Sequence, residues 1–137
     1  MKLVVDTNII LKALIRDSKV RAVLLNPEHH FYVPEFAFEE TERHMDMIVD
    51  KSGLSVEEVK IVLTTLSANL RVLPAKETAK EWIEAEAIIG NIDSTDIVFV
   101  AAALNSDADG IWSDDKDFKR QDSVRVWTTA EIIRPTD

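Results

Sequence analysis

The chain has 137 residues, of which 46% are apolar and 30% are charged, and its formal net charge is −9 at pH 7. This length and composition predict one independently folding domain over residues 1–137 and exclude a fibrous or disordered chain. The absence of cysteine excludes a disulfide framework, a thiolate nucleophile, an iron–sulfur cluster and a zinc ribbon.

The negative charge argues weakly against a nucleic-acid partner, because proteins that bind phosphate backbones usually carry a positive surface. An acidic metal site answers this objection, since bound divalent cations invert the local field. The longest apolar run, residues 97–104, is too short to cross a membrane, and the first residues lack the pattern of a signal peptide. We therefore expect a cytoplasmic protein without a membrane partner.

The first elements are a strand, a helix and a second strand. An apolar strand over residues 2–6 ends in the polar cluster Asp6-Thr7-Asn8, which opens a helix reaching Leu25. Asn26-Pro27 ends that helix, and residues 31–33, just before a proline, predict the second strand.

Two helices and a third strand follow. Residues 35–49 contain no glycine or proline and predict one helix that ends near Ser52-Gly53. The next helix begins at Ser55, where Ser55 and Glu58 have the spacing of a capping box. Residues 71–73 predict the third strand.

The last part of the chain repeats this alternation. Helices are predicted from Lys76 to Ile89, from Asp93-Ser94-Thr95-Asp96 through the alanine-rich run to Leu104, and from Thr128 onward; strands are predicted at residues 110–112 and 124–127. Strands alternating with helices are typical of an α/β fold. We expect a three-layer sandwich with a mainly parallel sheet.

Three acidic residues occupy positions where such folds bind ligands. Asp6 and Asp115 follow predicted strands, and Asp96 lies at the start of the buried helix. Ligands gather at the carboxyl ends of parallel strands, so these carboxylates can converge although they are far apart in sequence. Clustered carboxylates repel one another unless a cation lies among them, and oxygen donors favour Mg²⁺ or Mn²⁺. Such ions activate water against phosphodiesters.

Other catalytic arrangements have little support. The only histidines are His29, His30 and His44, and two of them lie in one loop, so no Ser–His–Asp set is apparent. The only glycines, Gly53 and two others, are widely separated and form no phosphate-binding loop.

Four blocks of the sequence resemble the PIN-domain family. Val4-Val5-Asp6-Thr7-Asn8 resembles the opening strand of these domains, and Pro34 to Glu40 is similar to their second block. Residues 93–104 resemble the third acidic block, and Ser113-Asp114-Asp115-Lys116-Asp117-Phe118 the fourth. The resemblance covers nearly the whole chain. It implies a metal-dependent ribonuclease with about five parallel strands, often a homodimer, as in VapC-type toxins and RNA-processing factors.

The resemblance also implies the metal ligands. Asp6, Glu40, Asp96 and Asp115 match the four acidic positions of the family. Glu39 competes with Glu40, which we prefer because the family's acid usually precedes the residue that turns back to the core, although this residue is commonly Leu and is Thr41 here.

Several nearby polar residues have two interpretations. Asp93 either caps the helix or extends the acidic pocket, and Asp114 and Asp117 are accessory candidates. Thr7, Asn8 and Ser113 either orient the carboxylates or form turns and caps. The basic groups Lys12, Arg16 and Lys19 and Lys116, Lys119 and Arg120 either meet phosphates or balance the acidic surface.

The sequence therefore predicts an endoribonuclease with a Mg²⁺ or Mn²⁺ site, RNA as substrate and, if the protein is a toxin, a cognate antitoxin as partner. One alternative is a non-catalytic RNA-binding or complex-assembly domain of the same fold. Another is a receiver-type signalling domain or an aspartyl-phosphate hydrolase. The absence of an acidic pair directly after the first strand argues against a receiver, and the absence of two Asp two residues apart there argues against the hydrolase.

Overall fold

Short apolar runs form the strands of one parallel sheet in the computed structural model, which describes residues 1–15 and 18–133. Within these residues the sheet has five strands in the order β3-β2-β1-β4-β5. The strands are β1 (Lys2–Val5), β2 (His30–Pro34), β3 (Leu70–Leu73), β4 (Gly110–Trp112) and β5 (Val126–Trp127). The predicted α/β fold with a parallel, five-stranded sheet is confirmed.

Helices flank this sheet. In the described residues they are α1 (Thr7–Ile15), α2 (Ser18–Leu24), α3 (Phe36–Arg43), α4 (Met45–Ser52), α5 (Val56–Ser67), α6 (Ala75–Thr78), α7 (Trp82–Ile89), α8 (Ile97–Ser106) and α9 (Thr129–Ile132). Short 3₁₀ turns occupy Ala79–Glu81, Ser94–Asp96 and Lys116–Arg120. Helix α1 contacts α2 to α5, whereas α8 contacts α6, α7 and strands β1, β2 and β4. None of the helices described here is long and apolar enough to cross a membrane.

The order of the strands creates a crevice beside β1. From β1 the chain proceeds to β2 and β3 on one side, and later returns to place β4 and β5 on the other. Right-handed crossovers then put the helices of the two halves on opposite faces. The point where the order reverses, between β1 and β4, is where open α/β sheets bind ligands.

The central strands form the core between these helical layers. Leu3, Val4 and Val5 are fully buried, and all three residues of β4 are buried as well. Continuous burial is expected of parallel strands covered on both faces. Helix α8 packs on the sheet through buried residues that include Ala101, Ala102 and Ala103, whose small side chains permit close approach.

The predicted helix over residues 35–49 is wrong as a single element. Helices α3 and α4 are separated at His44, whose φ of −97° and ψ of 12° depart from helical values. The amide of His44 is shared between the carbonyls of Glu40 and Thr41. Met45 begins a new helix that buries Met45 and Ile48.

Two other predicted helices are described in more than one segment. The helix expected to reach Leu25 appears as α1 and α2, and Arg16 and Asp17 between them lie outside the described residues. The helix expected over residues 76–89 is divided into α6, a 3₁₀ turn and α7. Local sequence patterns do not mark the 3₁₀ turn at Ala79–Glu81, because tertiary packing can override local helix propensity.

The capping box before α5 is confirmed and supplies a stability prediction. The Glu58 amide donates to Ser55 Oγ at 3.2 Å, and the Ser55 amide donates to Glu58 Oε1 at 3.1 Å. Ser55→Ala should lower the free energy of unfolding by about 1 kcal/mol, because the Glu58 amide loses its acceptor, Ser55 Oγ. Urea denaturation measures this change. The exposed Ser123, changed to Ala, is the control, and equal effects of the two changes would contradict the prediction.

Candidate metal centre

The site begins where β1 and β4 end side by side. Val5 of β1 is paired with Trp112 of β4, and the next residues along the two strands are Asp6 and Ser113. The Asp6 amide donates to the Trp112 carbonyl at 3.1 Å, and Ser113 Oγ donates to Asp6 Oδ2 at 2.8 Å. Both side chains are buried. The sheet therefore fixes the Asp6 carboxylate at the predicted crevice.

The Ser113 hydroxyl also organises the loop that carries Asp115. The Asp115 amide donates to Ser113 Oγ at 3.0 Å. Asp115 Oδ1 in turn accepts from the Asp117 amide at 2.9 Å and caps the 3₁₀ turn of residues 116–120. Ser113 thus links Asp6 to the fourth acidic block, as predicted for a supporting residue.

Glu40 reaches the same region from α3. Thr7 Oγ1 donates to Glu40 Oε1 at 2.6 Å, and Thr7 directly follows Asp6. The charge of Glu40 is one of those that raise the pKa of Asp6. Glu39 is exposed and lines a neighbouring groove instead. The structure thus brings Glu40, rather than its neighbour in the chain, to Asp6.

Asp96 is the most unusual carboxylate of the set. Only 6% of the residue is exposed, and among the described residues its buried Oδ2 has no hydrogen-bond partner. Buried polar atoms normally have partners, and each exception requires an explanation. A cation between the carboxylates is one explanation, because it would be a partner for this oxygen.

Asp93 combines both roles that the sequence left open. Its Oδ1 accepts from the Thr95 amide at 3.0 Å and from Thr95 Oγ1 at 2.6 Å, so it caps the turn before α8. One oxygen from each of Asp93, Asp96 and Asp117 also lies within 4.8 Å of the others. This group of three differs from the predicted ligand set in containing Asp93 and Asp117.

Asp114 lies beside the cluster in sequence but has other partners. It accepts from the Thr129 amide at 2.8 Å and from Thr129 Oγ1 at 2.7 Å, and Lys12 Nζ lies 2.7 Å from its Oδ2. Partial burial raises the pKa of Asp114, but hydrogen bonds from Lys12 and Thr129 outweigh this effect and hold the pKa below its ordinary value. Asp114 therefore ties α9 and α1 to the loop.

Burial and mutual repulsion raise two pKa values in the site. Burial raises the pKa of Asp6 to about 6; the Ser113 hydrogen bond opposes this shift, and the charges of Asp115 and Glu40 add to it. Burial likewise raises the pKa of Asp96 to about 8, with further contributions from Asp93, Asp6, Asp115 and Asp117, in that order. Asp6, Glu40, Asp96 and Asp115 are therefore linked by their electrostatic effects on one another, and Asp93 and Asp117 belong to the same group of carboxylates.

This donor set fits a hard divalent cation. All of its donors are carboxylate oxygens, which suit Mg²⁺ and Mn²⁺. Bound cations reverse the repulsion between the carboxylates, which adds to the effect of burial on these pKa values. The fit therefore rests on chemistry as well as on the unpartnered oxygen of Asp96.

Three of the described basic side chains pair with acidic residues, which agrees with the second of the two interpretations that the sequence left open. Lys12 is paired with Asp114, and Arg16 lies outside the described residues, so the arrangement of Lys12, Arg16 and Lys19 on the first helix stays a prediction. Near the fourth block, Lys119 lies 3.6 Å from Glu131 and Arg120 lies 3.9 Å from Asp117. The pairs of Lys12 with Asp114 and of Lys119 with Glu131 join residues far apart in the chain and have no signature in the sequence. The proximity of Arg120 and Asp117 follows from their spacing of three residues.

The chain matches the sequence model of the PIN domain over residues 4–134. It therefore belongs to the PIN-domain family, as predicted. Its fold is similar to that of a chain in the crystal structure of VapBC2 from Rickettsia felis bound to a DNA fragment from their promoter, with a TM-score of 0.68 and 14% sequence identity. The alignment covers 93% of this chain and 98% of that chain. No curated protein matches the sequence. The receiver-type interpretation is set aside by the family assignment.

Proposed function

We propose that this PIN-domain protein is a metal-dependent endoribonuclease that hydrolyses RNA phosphodiester bonds. The observation that carries the proposal is the buried Asp96 carboxylate, which has an unpartnered oxygen and lies in the field of carboxylates from other segments. Burial and repulsion together disfavour the ionised carboxylate, and a divalent cation among these oxygens would offset both effects.

Asp6, Glu40, Asp96 and Asp115 would hold Mg²⁺ or Mn²⁺, with Asp93 and Asp117 near enough to contribute. When bound, such an ion supplies an activated water and positive charge for the departing oxygen of the phosphodiester. The remaining groups act on the carboxylates. Ser113 donates to Asp6, and Thr7 donates to Glu40. Each hydrogen bond orients the second oxygen of the carboxylate that accepts it.

The site also favours direct hydrolysis over a covalent intermediate. The chain has no cysteine, and the Ser113 hydroxyl donates its proton to Asp6 while accepting from the Asp115 amide. The three histidines are absent from the hydrogen bonds described for this cluster. Ser113 is fully buried, and both its proton and its oxygen are engaged in these hydrogen bonds, so it is poorly placed to act as a nucleophile.

Similarity of fold to a chain of the VapBC2 complex supports a more specific role. We infer that the protein acts in the cytoplasm as the toxin of a toxin–antitoxin pair, with a cognate antitoxin protein as partner, and that it forms a homodimer. Co-purification with the product of an adjacent gene and the mass of the isolated protein in solution test these two points.

Metal removal tests the nuclease directly. Purified protein with Mn²⁺ or Mg²⁺ should cut a mixed-sequence single-stranded RNA, excess chelator should stop the cleavage, and added Mn²⁺ should restore it. Mass spectrometry of the products and of the protein should show no nucleotide attached to the chain. Cleavage that persists undiminished in chelator would refute the metal-dependent mechanism.

A further inference from the structure

An apolar groove of about 410 Å³ lies between α3, α6, α7 and the segment that leads into α8. This volume is within the range of small-molecule sites, about 300–1,000 Å³. Phe36, Leu73, Trp82 and Val98 are among its lining residues. Trp82 is 40% exposed, although large aromatic side chains usually bury most of their surface.

Two elements contribute residues both to the groove and to the candidate metal centre. Helix α3 contributes Phe36 and Glu39 to the groove and Glu40 to the acidic cluster. The turn between Asp93 and Asp96 contributes Ser94 and Thr95 to the groove. A ligand whose phosphate lies at the carboxylates therefore has its neighbouring groups beside this groove.

The chemistry of the lining selects a flat group with N–H donors. The described lining residues include two carboxylates and no Lys, Arg or His, so the groove does not suit a phosphate. Both carboxylates are exposed, but Glu35 Oε1 already accepts from the Ala75 amide at 2.7 Å, so Glu39 is the better-placed acceptor. Arg43 lies 5.7 Å from the centre of the Phe36 ring, so Trp82 provides the more open aromatic surface.

We propose that this groove binds a guanine base of the RNA adjacent to the cleaved phosphodiester. Trp82 stacks on the base, as aromatic side chains do with unpaired RNA bases. The Glu39 carboxylate accepts from the N1 and N2 groups of guanine, which is the RNA base with two adjacent N–H donors on its pairing edge. The proposal rests on the proposed function only in assigning the backbone of this nucleotide to the acidic cluster.

Mononucleotide binding tests the groove without metal or cleavage. The indole N–H signals of the three tryptophans, assigned with Trp→Phe variants, are followed by NMR during titration with GMP, IMP, AMP, CMP or inorganic phosphate. We expect GMP to move the Trp82 signal and leave that of the buried Trp112 in place. GMP should bind roughly tenfold more tightly than CMP, and IMP, which lacks the N2 group, should fall between them.

Matched variants separate base recognition from general binding. Glu39→Gln should reduce GMP affinity by roughly tenfold and bring it to the level of AMP, whereas Glu42→Gln, an exposed change on the same helix, should have no effect. In cleavage assays Glu39→Gln should lose a preference for cuts beside guanine. GMP binding by a protein that does not cut RNA would support the groove and refute the nuclease.

Three results would overturn the proposal. In the first, inorganic phosphate moves the Trp82 signal as much as GMP does. In the second, Trp82 responds to no nucleotide in a protein that cuts RNA, which leaves the nuclease intact and the groove without a base. In the third, the Trp82 signal changes with protein concentration alone, which identifies a second copy of the chain as the occupant.

Discussion

Asp6→Asn is expected to lower metal-dependent RNA cleavage by at least roughly a hundredfold and to leave the fold intact. The change removes the charge of Asp6, which lies at the crevice between the carboxyl ends of β1 and β4. An asparagine carbonyl can still accept from Ser113 Oγ, which now donates to Asp6 at 2.8 Å. The loop that carries Asp115 should therefore keep its position. Initial cleavage rates at saturating Mn²⁺, with circular dichroism as the check on folding, measure the effect.

Asp122→Asn is the matched control for this experiment. Asp122 is exposed in the loop before β5, and its charge is not among those that raise the pKa of Asp6 or Asp96. It should cut RNA at the wild-type rate. If Asp6→Asn also retains full activity, the assignment of the active site is wrong, whatever the activity of the control.

Asp96→Asn is expected to stabilise the metal-free protein at pH 8 by on the order of 3 kcal/mol. In the folded chain the pKa of Asp96 is raised to about 8 from an ordinary value of 3.8, mainly by burial and then by neighbouring carboxylates. Folding therefore favours the protonated carboxyl. At pH 8 the wild type must either ionise a buried group or hold a proton that the unfolded chain releases, and asparagine avoids both.

The pH dependence of this effect has a definite sign. A carboxyl whose pKa is raised in the folded state contributes stability that is fully present below the unfolded pKa and is lost as the pH rises through the folded pKa. For Asp96 the loss extends from about pH 4 to pH 8, and for Asp6, with a folded pKa of about 6, it ends earlier. The stability difference between Asp96→Asn and wild type should therefore grow from pH 5 to pH 8.

Metal should narrow this difference in stability between wild type and Asp96→Asn. An ion that binds only the folded state stabilises it by RT ln(1 + [L]/Kd), or about 2–3 kcal/mol for millimolar Mn²⁺ at a site with a Kd of tens of micromolar. Urea denaturation with chelator or with Mn²⁺ measures both effects. Mn²⁺ should raise the free energy of unfolding more for wild type than for Asp96→Asn. Equal gains in the two proteins would mean that the ions bind a diffuse acidic surface.

The sequence predicted the parts of the site that depend on strand ends and helix starts. Asp6 and Asp115 follow β1 and β4, and Asp96 precedes α8, because local patterns mark those boundaries well. The proximity of Asp117 to Asp93 and Asp96 could not be predicted in the same way. It depends on the 3₁₀ turn that Asp115 caps, which sets the direction of a short loop in three dimensions.

The limits on predicting the fold have the same physical origin. Alternating strands and helices identified the parallel sheet, since that pattern is periodic along the chain. The break at His44 was missed because both sides of it are good helix formers, and only burial of Met45 and Ile48 separates α3 from α4. The pairing of Lys12 with Asp114, 102 residues away, likewise has no counterpart in local sequence.

The parallel arrangement of the strands also determines how the protein can be handled. Since every strand points the same way, Met1 and the turn at Asp107–Asp109 lie at the amino-terminal end of the strands. The candidate metal centre lies at the opposite, carboxyl-terminal end. At the amino-terminal end the Lys2 amide donates to Asp109 Oδ2 at 2.8 Å, and the His30 amide donates to the Met1 carbonyl at 2.8 Å. A surface tether or fluorescent label attached at Asp107 would leave the opposite end of the sheet accessible to RNA, which makes this turn suitable for single-molecule observation of RNA.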